Sequence, residues 1–323
     1  MYLGIEIGGT KLQLAIGRGD GVLVAVRRFD VDRQAGAAGI LQQIVNAAAE
    51  WQHDAQRLTG GIVDPSTNPI RAVGIGFGGP VDAAHGIVTT SNHVEGWTSF
   101  PLAAWVRNTL GVSAVAIEND ADTAALGEAR HGAGRGLSPI LYLTIGSGIG
   151  GGLIVEGAIY RGAGAGAVEI GHLRIGESTL EGLASGWSIG RQAREALDGI
   201  PPGSPDPSRL AGLVVDGDSR AITAQAVAQA AQSGDQLALE VLDRATTAMA
   251  EGLGHAVTLL APRRIILGGG VSLIGEALWF EPIRHKLKQR VFPPFRDQYD
   301  LVPAALGEQV VLHGALALAA DLA

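Results

Sequence analysis

The first residues already read as sheet. Tyr2–Ile7 has the pattern of a strand, and after Gly8-Gly9-Thr10 the apolar residues Leu12, Leu14 and Ile16 alternate with Lys11, Gln13 and Ala15, the period-two pattern of a second strand. Val22–Phe29 predicts a third strand. Gly39–Gln52 has helical spacing through Ile40, Ile44, Val45 and Ala48. After a turn-rich stretch over Asp64–Pro69, Ala72–Phe77 is an apolar strand entering Gly78-Gly79-Pro80. Pro101–Thr109 predicts a helix, Val112–Ile117 a short buried strand ending at Glu118-Asn119-Asp120, and Ala121–Arg130 a helix.

The opening pattern then recurs. Ile140–Ile145 is an apolar strand, Gly146–Gly152 reads as a glycine turn, and Leu153–Val155 starts another strand. Placing Glu6 on Thr144 puts Gly8 on Gly146, so two strand–turn–strand units predict two related domains. Downstream, Gly199–Ser208 is a proline-rich loop. Thr223–Leu260 predicts two helices broken at Ser233-Gly234-Asp235, Arg264–Leu267 a strand running into Gly268-Gly269-Gly270, and Val310–Leu322 a terminal helix.

Composition narrows the classes. A length of 323 residues gives a prior of two domains. Cysteine is absent, which excludes disulfides, cysteine-based zinc sites, iron–sulfur ligation and a cysteine nucleophile. A net charge of −8 is a poor match for phosphate backbones, so no nucleic-acid partner is expected. The opening MYLGIEIGGTK lacks a basic segment followed by an apolar one, and no uninterrupted apolar run is long enough to span a bilayer. A cytoplasmic protein without a membrane partner is expected.

Glycine is 48 of the residues, and its placement carries the chemistry. Gly146-x-Gly148-x-x-Gly151 and Gly74-x-Gly76-x-x-Gly79 both fit the dinucleotide pattern, but that loop must open a helix. Strand-like Leu153-Ile154-Val155 and Pro80-Val81-Asp82 follow instead, which argues against it. A glycine hairpin offers backbone N–H groups with no side chain in the way, a nest for phosphate oxygens. One such hairpin is an ordinary turn. Two of them, Gly8–Lys11 and Thr144–Gly148, predict a phosphate clamp. Gly186-Trp187-Ser188-Ile189-Gly190 matches a nucleophile elbow, which needs a preceding strand, and Leu180–Ser185 does not read as one.

Five motifs in order, Glu6-Ile-Gly-Gly-Thr-Lys11, Ile117-Glu-Asn-Asp120 with Ala124-Ala-Leu-Gly-Glu128, Thr144-Ile-Gly-Ser-Gly148, Glu169-Ile-Gly-His172 and Leu267-Gly-Gly-Gly270, resemble the ROK family of sugar kinases and sugar-responsive repressors. The resemblance implies an α/β fold with two ribonuclease H-like, actin-like ATPase domains flanking a cleft. It places residues 1–117 plus 308–323 in one domain and 118–307 in the other. It implies ATP and Mg²⁺ as cofactors, a hexose as substrate and a homodimer.

Residue by residue, the resemblance makes Asp120 the catalytic base, a role that needs a carboxylate within hydrogen-bond reach of the attacking hydroxyl. Helix capping is its plainer role. Gly79, Asn92, Asn119, Glu169, His172 and Glu181 join Asp120 as sugar-binding residues. Gly8, Gly9, Thr10, Lys11, Thr144, Gly146, Ser147 and Gly148 would bind phosphates, and Gly268, Gly269 and Gly270 the adenosine. Two departures stand out. Only Leu173–Leu180 separates His172 from Glu181, so the family's cysteine-rich zinc loop is missing and zinc is not expected. Glu6 stands where the family usually has the Asp that holds hydrated Mg²⁺. A glucokinase acting on the 6-hydroxyl is the leading expectation. N-acetylglucosamine, N-acetylmannosamine or fructose kinases are alternatives, and a non-catalytic sugar sensor is the rival of another class. A DNA-binding role is not expected, because no helix-turn-helix segment precedes the first strand.

Overall fold

The computed structural model describes residues 1–53, 68–91, 94–163, 166–200, 208–214 and 218–323. Asn92 and most of the expected Asp64–Pro69 and Gly199–Ser208 connections lie outside them. In chain order come β1 (Tyr2–Ile7), β2 (Lys11–Gly17), β3 (Leu23–Asp30), α1 (Gly36–His53), β4 (Ala72–Phe77), β5 (Val81–Asp82), β6 (Ile87–Val88), α2 (Leu102–Leu110), β7 (Ala114–Asn119) and α3 (Asp120–His131). Then follow β8 (Ile140–Ile145), β9 (Ile149–Val155), β10 (Ala158–Ile159), β11 (Arg174–Ile175), β12 (Ser178–Thr179), α4 (Leu180–Ala184) and α5 (Gly186–Asp198). The chain continues with α6 (Ala224–Gln232), α7 (Gln236–Leu260), β13 (Arg264–Gly268), α8 (Glu281–Arg290), β14 (Asp300–Pro303) and α9 (Val310–Ala320).

Two five-stranded sheets repeat one topology. The first runs β3-β2-β1-β4-β7 and the second β10-β9-β8-β13-β14. In the first, β1–β2 and β2–β3 are antiparallel while β1–β4 and β4–β7 are parallel. In the second, β9–β10 is antiparallel and β8–β13 and β13–β14 are parallel. β1 thus corresponds to β8, and Gly8 to Gly146, as the recurrence in the sequence predicts. The parallel strand β4 is buried along its whole length and reads as continuous apolar or glycine residues, the signature of a strand covered on both faces. Smaller hairpins pair β5 with β6 and β11 with β12.

Contacts divide the chain into two units. One holds Met1–Ser138, Gly152–Ala167 and Ala305–Ala323; the other holds Pro139–Gly151 and Val168–Ala304. The first unit runs past the boundary expected after Ile117 to include α3, which packs on α9 and β4, and it also takes in Gly152–Ala167. Close approach of α9 to the sheet requires glycine. A Cβ on Gly74 would run into the Ala315 carbonyl, and one on Gly314 into the Thr123 carbonyl of α3. The fully buried Glu128 of α3 accepts hydrogen bonds from Ala133 N at 2.7 Å and from Ala305 N and Leu306 N at 2.9 Å. It thereby ties down the segment leading into α9.

One expected turn is shorter than the glycine pattern predicts. β9 begins at Ile149, so the turn is only Gly146-Ser147-Gly148. Gly151 and Gly152 lie inside the strand, where a Cβ would sit 2.9 Å from the Val168 carbonyl and 2.7 Å from Ala125 respectively. They are glycines of close packing, not of the turn. The break at Ser233-Gly234-Asp235 is as predicted, and Asp235 caps α7 by accepting from Ala238 N. No helix among the described residues is long and apolar enough to cross a membrane.

Candidate functional site

In the first unit, the predicted residues converge on the ends of β1, β4 and β7. Asn119 ends β7 and caps α3, its Oδ1 accepting from Ala121 N at 2.8 Å. Its Nδ2 donates to the Gly79 carbonyl at 3.1 Å, so Gly79 and Asn119 are joined directly. Asp120 Oδ1 also accepts from Ala121 N, at 2.9 Å. Gly78 donates to the Ile7 carbonyl at 2.8 Å, and a Cβ on it would lie 3.4 Å from Asp120 Oδ2 and 3.5 Å from the Gly8 Cα. The glycine turn after β4 therefore packs between the first hairpin and the Asp120 carboxylate. Beside Asn119, buried Glu118 receives Arg161 in an ion pair, with Nε at 2.7 Å. Burial raises the Glu118 pKa and Arg161 opposes that rise.

The first hairpin carries a polar cluster of its own. Gly8 N donates to the Lys11 carbonyl at 3.0 Å, closing the turn over Gly9 and Thr10. Glu6 and Gln13 face each other across β1 and β2. Lys11 Nζ lies 3.1 Å from Glu6 Oε1, and Gln13 Nε2 donates to Glu6 Oε2 at 2.8 Å. Both oxygens of Glu6 are thus engaged.

In the second unit, Thr144 and Gly268 are register partners on β8 and β13. Gly269, at φ +81°, has no room for a Cβ against the Ile145 backbone. The turn Gly146–Gly148 is held from two sides: Gly186 N donates to the Gly146 carbonyl at 2.8 Å, and Glu181 Oε2 accepts from Ile149 N at 2.7 Å. Glu181, expected on the sugar, braces the second glycine turn. Glu169 sits in a tight turn in which Ile170 N donates to the Val168 carbonyl at 2.6 Å, with φ −69° and ψ 55° at Glu169, an inverse γ-turn. Val168 is at φ +61°, a strained conformation for a β-branched residue. His172 ends the short 3₁₀ turn Ile170–His172 and is exposed.

A cavity of about 940 Å³ opens beside this turn, with Gly146, Ser147 and Gly270 in its lining. It brings Gly146 and Ser147 of the second glycine turn together with Gly270 after β13. Among the described residues its charged lining is Arg194 and Arg220, the latter paired with Asp218. The sequence reading missed Trp187, Gln225, Gln229 and Gln232, which also line it. The glutamine spacing on α6 was a readable signal. Ser188 of the nucleophile-elbow match is fully buried in α5 behind the helix α4, which removes a hydrolase serine.

The ROK family model matches residues 2–322. The chain belongs to the ROK family. A glucokinase of Thermotoga maritima is 30% identical over 98% of this chain and 96% of that one. A ROK family glucokinase from Streptomyces griseus, solved in complex with glucose and AMPPNP, is 30% identical over 99% of both chains, with a TM-score of 0.78. A ROK hexokinase from Thermus thermophilus is 26% identical over 99% of this chain and 98% of that one, with a TM-score of 0.80. The fold is the actin-like α/β fold of ROK kinases, with a sheet in each of two domains.

Family membership raises the question of metal. Mg²⁺ is usually held by one or two carboxylates together with substrate phosphates. Glu6, the residue at the family's metal-associated position, already gives Oε1 to Lys11 and Oε2 to Gln13. As arranged, it does not fit a direct Mg²⁺ ligand and is the partner of Lys11; the expectation from the sequence was contact with the ion through water.

Proposed function

We propose that this chain phosphorylates glucose on its 6-hydroxyl with ATP as the donor. It is an ATP-dependent sugar kinase by family, related over nearly its whole length to proteins named for that activity. Glucose is the proposed sugar because the relatives from Thermotoga maritima and Streptomyces griseus are both glucokinases. The observation that carries the reading is the Asn119–Asp120 pair at the junction of β7 and α3, with Asp120 Oδ2 beside the Gly78 turn and the first glycine hairpin.

In the proposed reaction the sugar oxygen attacks the terminal phosphorus of ATP. The new O–P bond forms as the bond to the bridging oxygen breaks, ADP leaves, and Asp120 accepts the hydroxyl proton. Asn119 and Gly79 hold neighbouring hydroxyls. Glu169, His172 and Glu181 supply acceptors and donors to the rest of the ring, whose hydroxyls need both. Gly8–Lys11 and Thr144–Gly148 bind the phosphates, with Lys11 as a point charge kept in place by Glu6. Gly268–Gly270 approach the adenosine. Magnesium enters only as the companion ion of the donor's phosphates.

A panel of hexoses and N-acetylhexosamines assayed with ATP tests the proposal. Glucose should give the highest kcat/KM. A higher value for N-acetylglucosamine, N-acetylmannosamine or fructose refutes the choice of sugar. Binding of glucose without turnover of any sugar refutes the kinase reading in favour of a sensor.

A further inference from the structure

The first glycine hairpin is short of charge. Its own cation, Lys11, lies 3.1 Å from the carboxylate of buried Glu6. Two opposite charges that close offset each other and present little net field to an incoming anion. The next basic residues along the chain are paired as well. On β3, Arg27 lies 3.7 Å from Glu50 of α1, and Arg28 lies 2.9 Å from Glu308. Arg33 differs from all three. It sits in the connection between β3 and α1, is exposed, and forms no ion pair among the described residues. Its side chain is nevertheless anchored: Nε donates to the Gly9 carbonyl, at the tip of the hairpin, at 3.2 Å. The backbone of the connection is pinned to the same tip, with Val31 N donating to the Thr10 carbonyl at 3.0 Å. Asp32, the neighbouring carboxylate, turns back on its own loop and accepts from Gln34 N at 2.9 Å. All of these residues belong to the first unit.

A nest of backbone N–H groups can cradle phosphate oxygens, but a phosphate chain carries several negative charges and calls for cations too. A guanidinium keeps its charge at any working pH and takes phosphate oxygens two at a time. With Nε fixed on Gly9, the two terminal nitrogens of Arg33 remain for a ligand. A cation already held beside the hairpin needs no reordering when the anion arrives. We infer that Arg33 binds the phosphate chain of the donor at the first glycine hairpin and supplies the positive charge that Glu6 offsets on Lys11. Arg33 falls in none of the five sequence motifs, and the pairing that creates the need for it spans two strands. The inference deepens the proposed function, on which it rests for the nature of the donor.

Calorimetric titrations without sugar test it, with ATP and inorganic tripolyphosphate as probes. The proteins are wild type, Arg33→Ala, Arg33→Gln, Arg33→Lys and, as a control that removes an equal charge from the same sheet, Arg27→Ala. Arg33→Ala should bind both probes roughly 10- to 150-fold more weakly, the range for losing hydrogen bonds to a charged group, with an unchanged melting temperature. Arg33→Gln can still donate to the Gly9 carbonyl but carries no charge, and it should lose as much. Arg33→Lys should recover part of the loss, and Arg27→Ala should bind as wild type does. Wild-type affinity in Arg33→Ala or Arg33→Gln overturns the inference. So does an equal loss in Arg27→Ala, which would mark a general effect of surface charge, and so does a loss for ATP that spares tripolyphosphate. A wild type whose variants respond as expected but which phosphorylates no hexose refutes the proposed function and leaves this inference standing.

Discussion

Asp120 owes its position to the start of a helix. Asn119 takes the capping role at α3, which frees Asp120 from being the sole cap although both side chains accept from Ala121 N. The Asp120 Oδ1 is held on the Ala121 N–H at the first turn of the helix. Asp120→Asn should therefore preserve the fold and the affinity for glucose while lowering kcat by roughly 10²–10⁴. Turnover near wild type in a folded variant would remove Asp120 as base. Glu6 teaches a complementary lesson. From the sequence it is a longer substitute for a metal-associated Asp, whereas the structure gives both of its oxygens to Lys11 and Gln13. That pairing spans two strands in antiparallel register, a relation that no local motif encodes.

The helix α9 shows what a mostly apolar element can hide. Val310–Leu322 is readable as a helix, yet nothing local says which sheet it covers. The answer lies in two glycines where a Cβ has no space: Gly74 on β4, far away in the chain, and Gly314 on α9 itself, against α3. Gly314→Ala should destabilise the protein by about 1–3 kcal/mol, the usual cost of forcing a methyl group into a packed interior. A thermal melt equal to wild type would show that α9 can lift from α3. The glycine turns were legible for a related reason, since their spacing after apolar strands recurs at Gly8 and Gly146. The length of the second turn was not. Gly151 and Gly152 look like turn residues in sequence but are strand residues that permit close contact with Val168 and Ala125.

The response of the folded chain to acid depends on a pair of imidazoles in the first unit. His131 ends α3 and His313 lies within α9, with ring centroids 6.1 Å apart. Burial lowers the pKa of each. Arg130 and Arg135 lower that of His131 further while Asp20 opposes, and His131 lowers that of His313. His313 Nδ1 is buried without a hydrogen-bond partner among the described residues. Because both folded-state values lie below the ordinary imidazole value of about 6.5, the unfolded chain binds more protons as pH falls through that value. Stability is then lost as the solution becomes more acidic. The melting temperature should fall on acidification below about pH 6.5, and less steeply in His313→Gln. Equal slopes for the two proteins would exclude the pair as the source.

The tie between α9 and the first sheet also fixes an order of events on the ribosome. β1, β2 and β4 emerge early, but the helix that packs on β1 and β4 is made only after the whole of Val168–Ala304 has been translated. The second unit has its sheet core and helices in hand before that point, whereas the first must wait with apolar strand surface uncovered. Domains usually fold as they emerge, N-terminal part first. Here the sequence that appears first is the one that finishes last, and a nascent chain stalled before Ala305 would expose a face that invites chaperones.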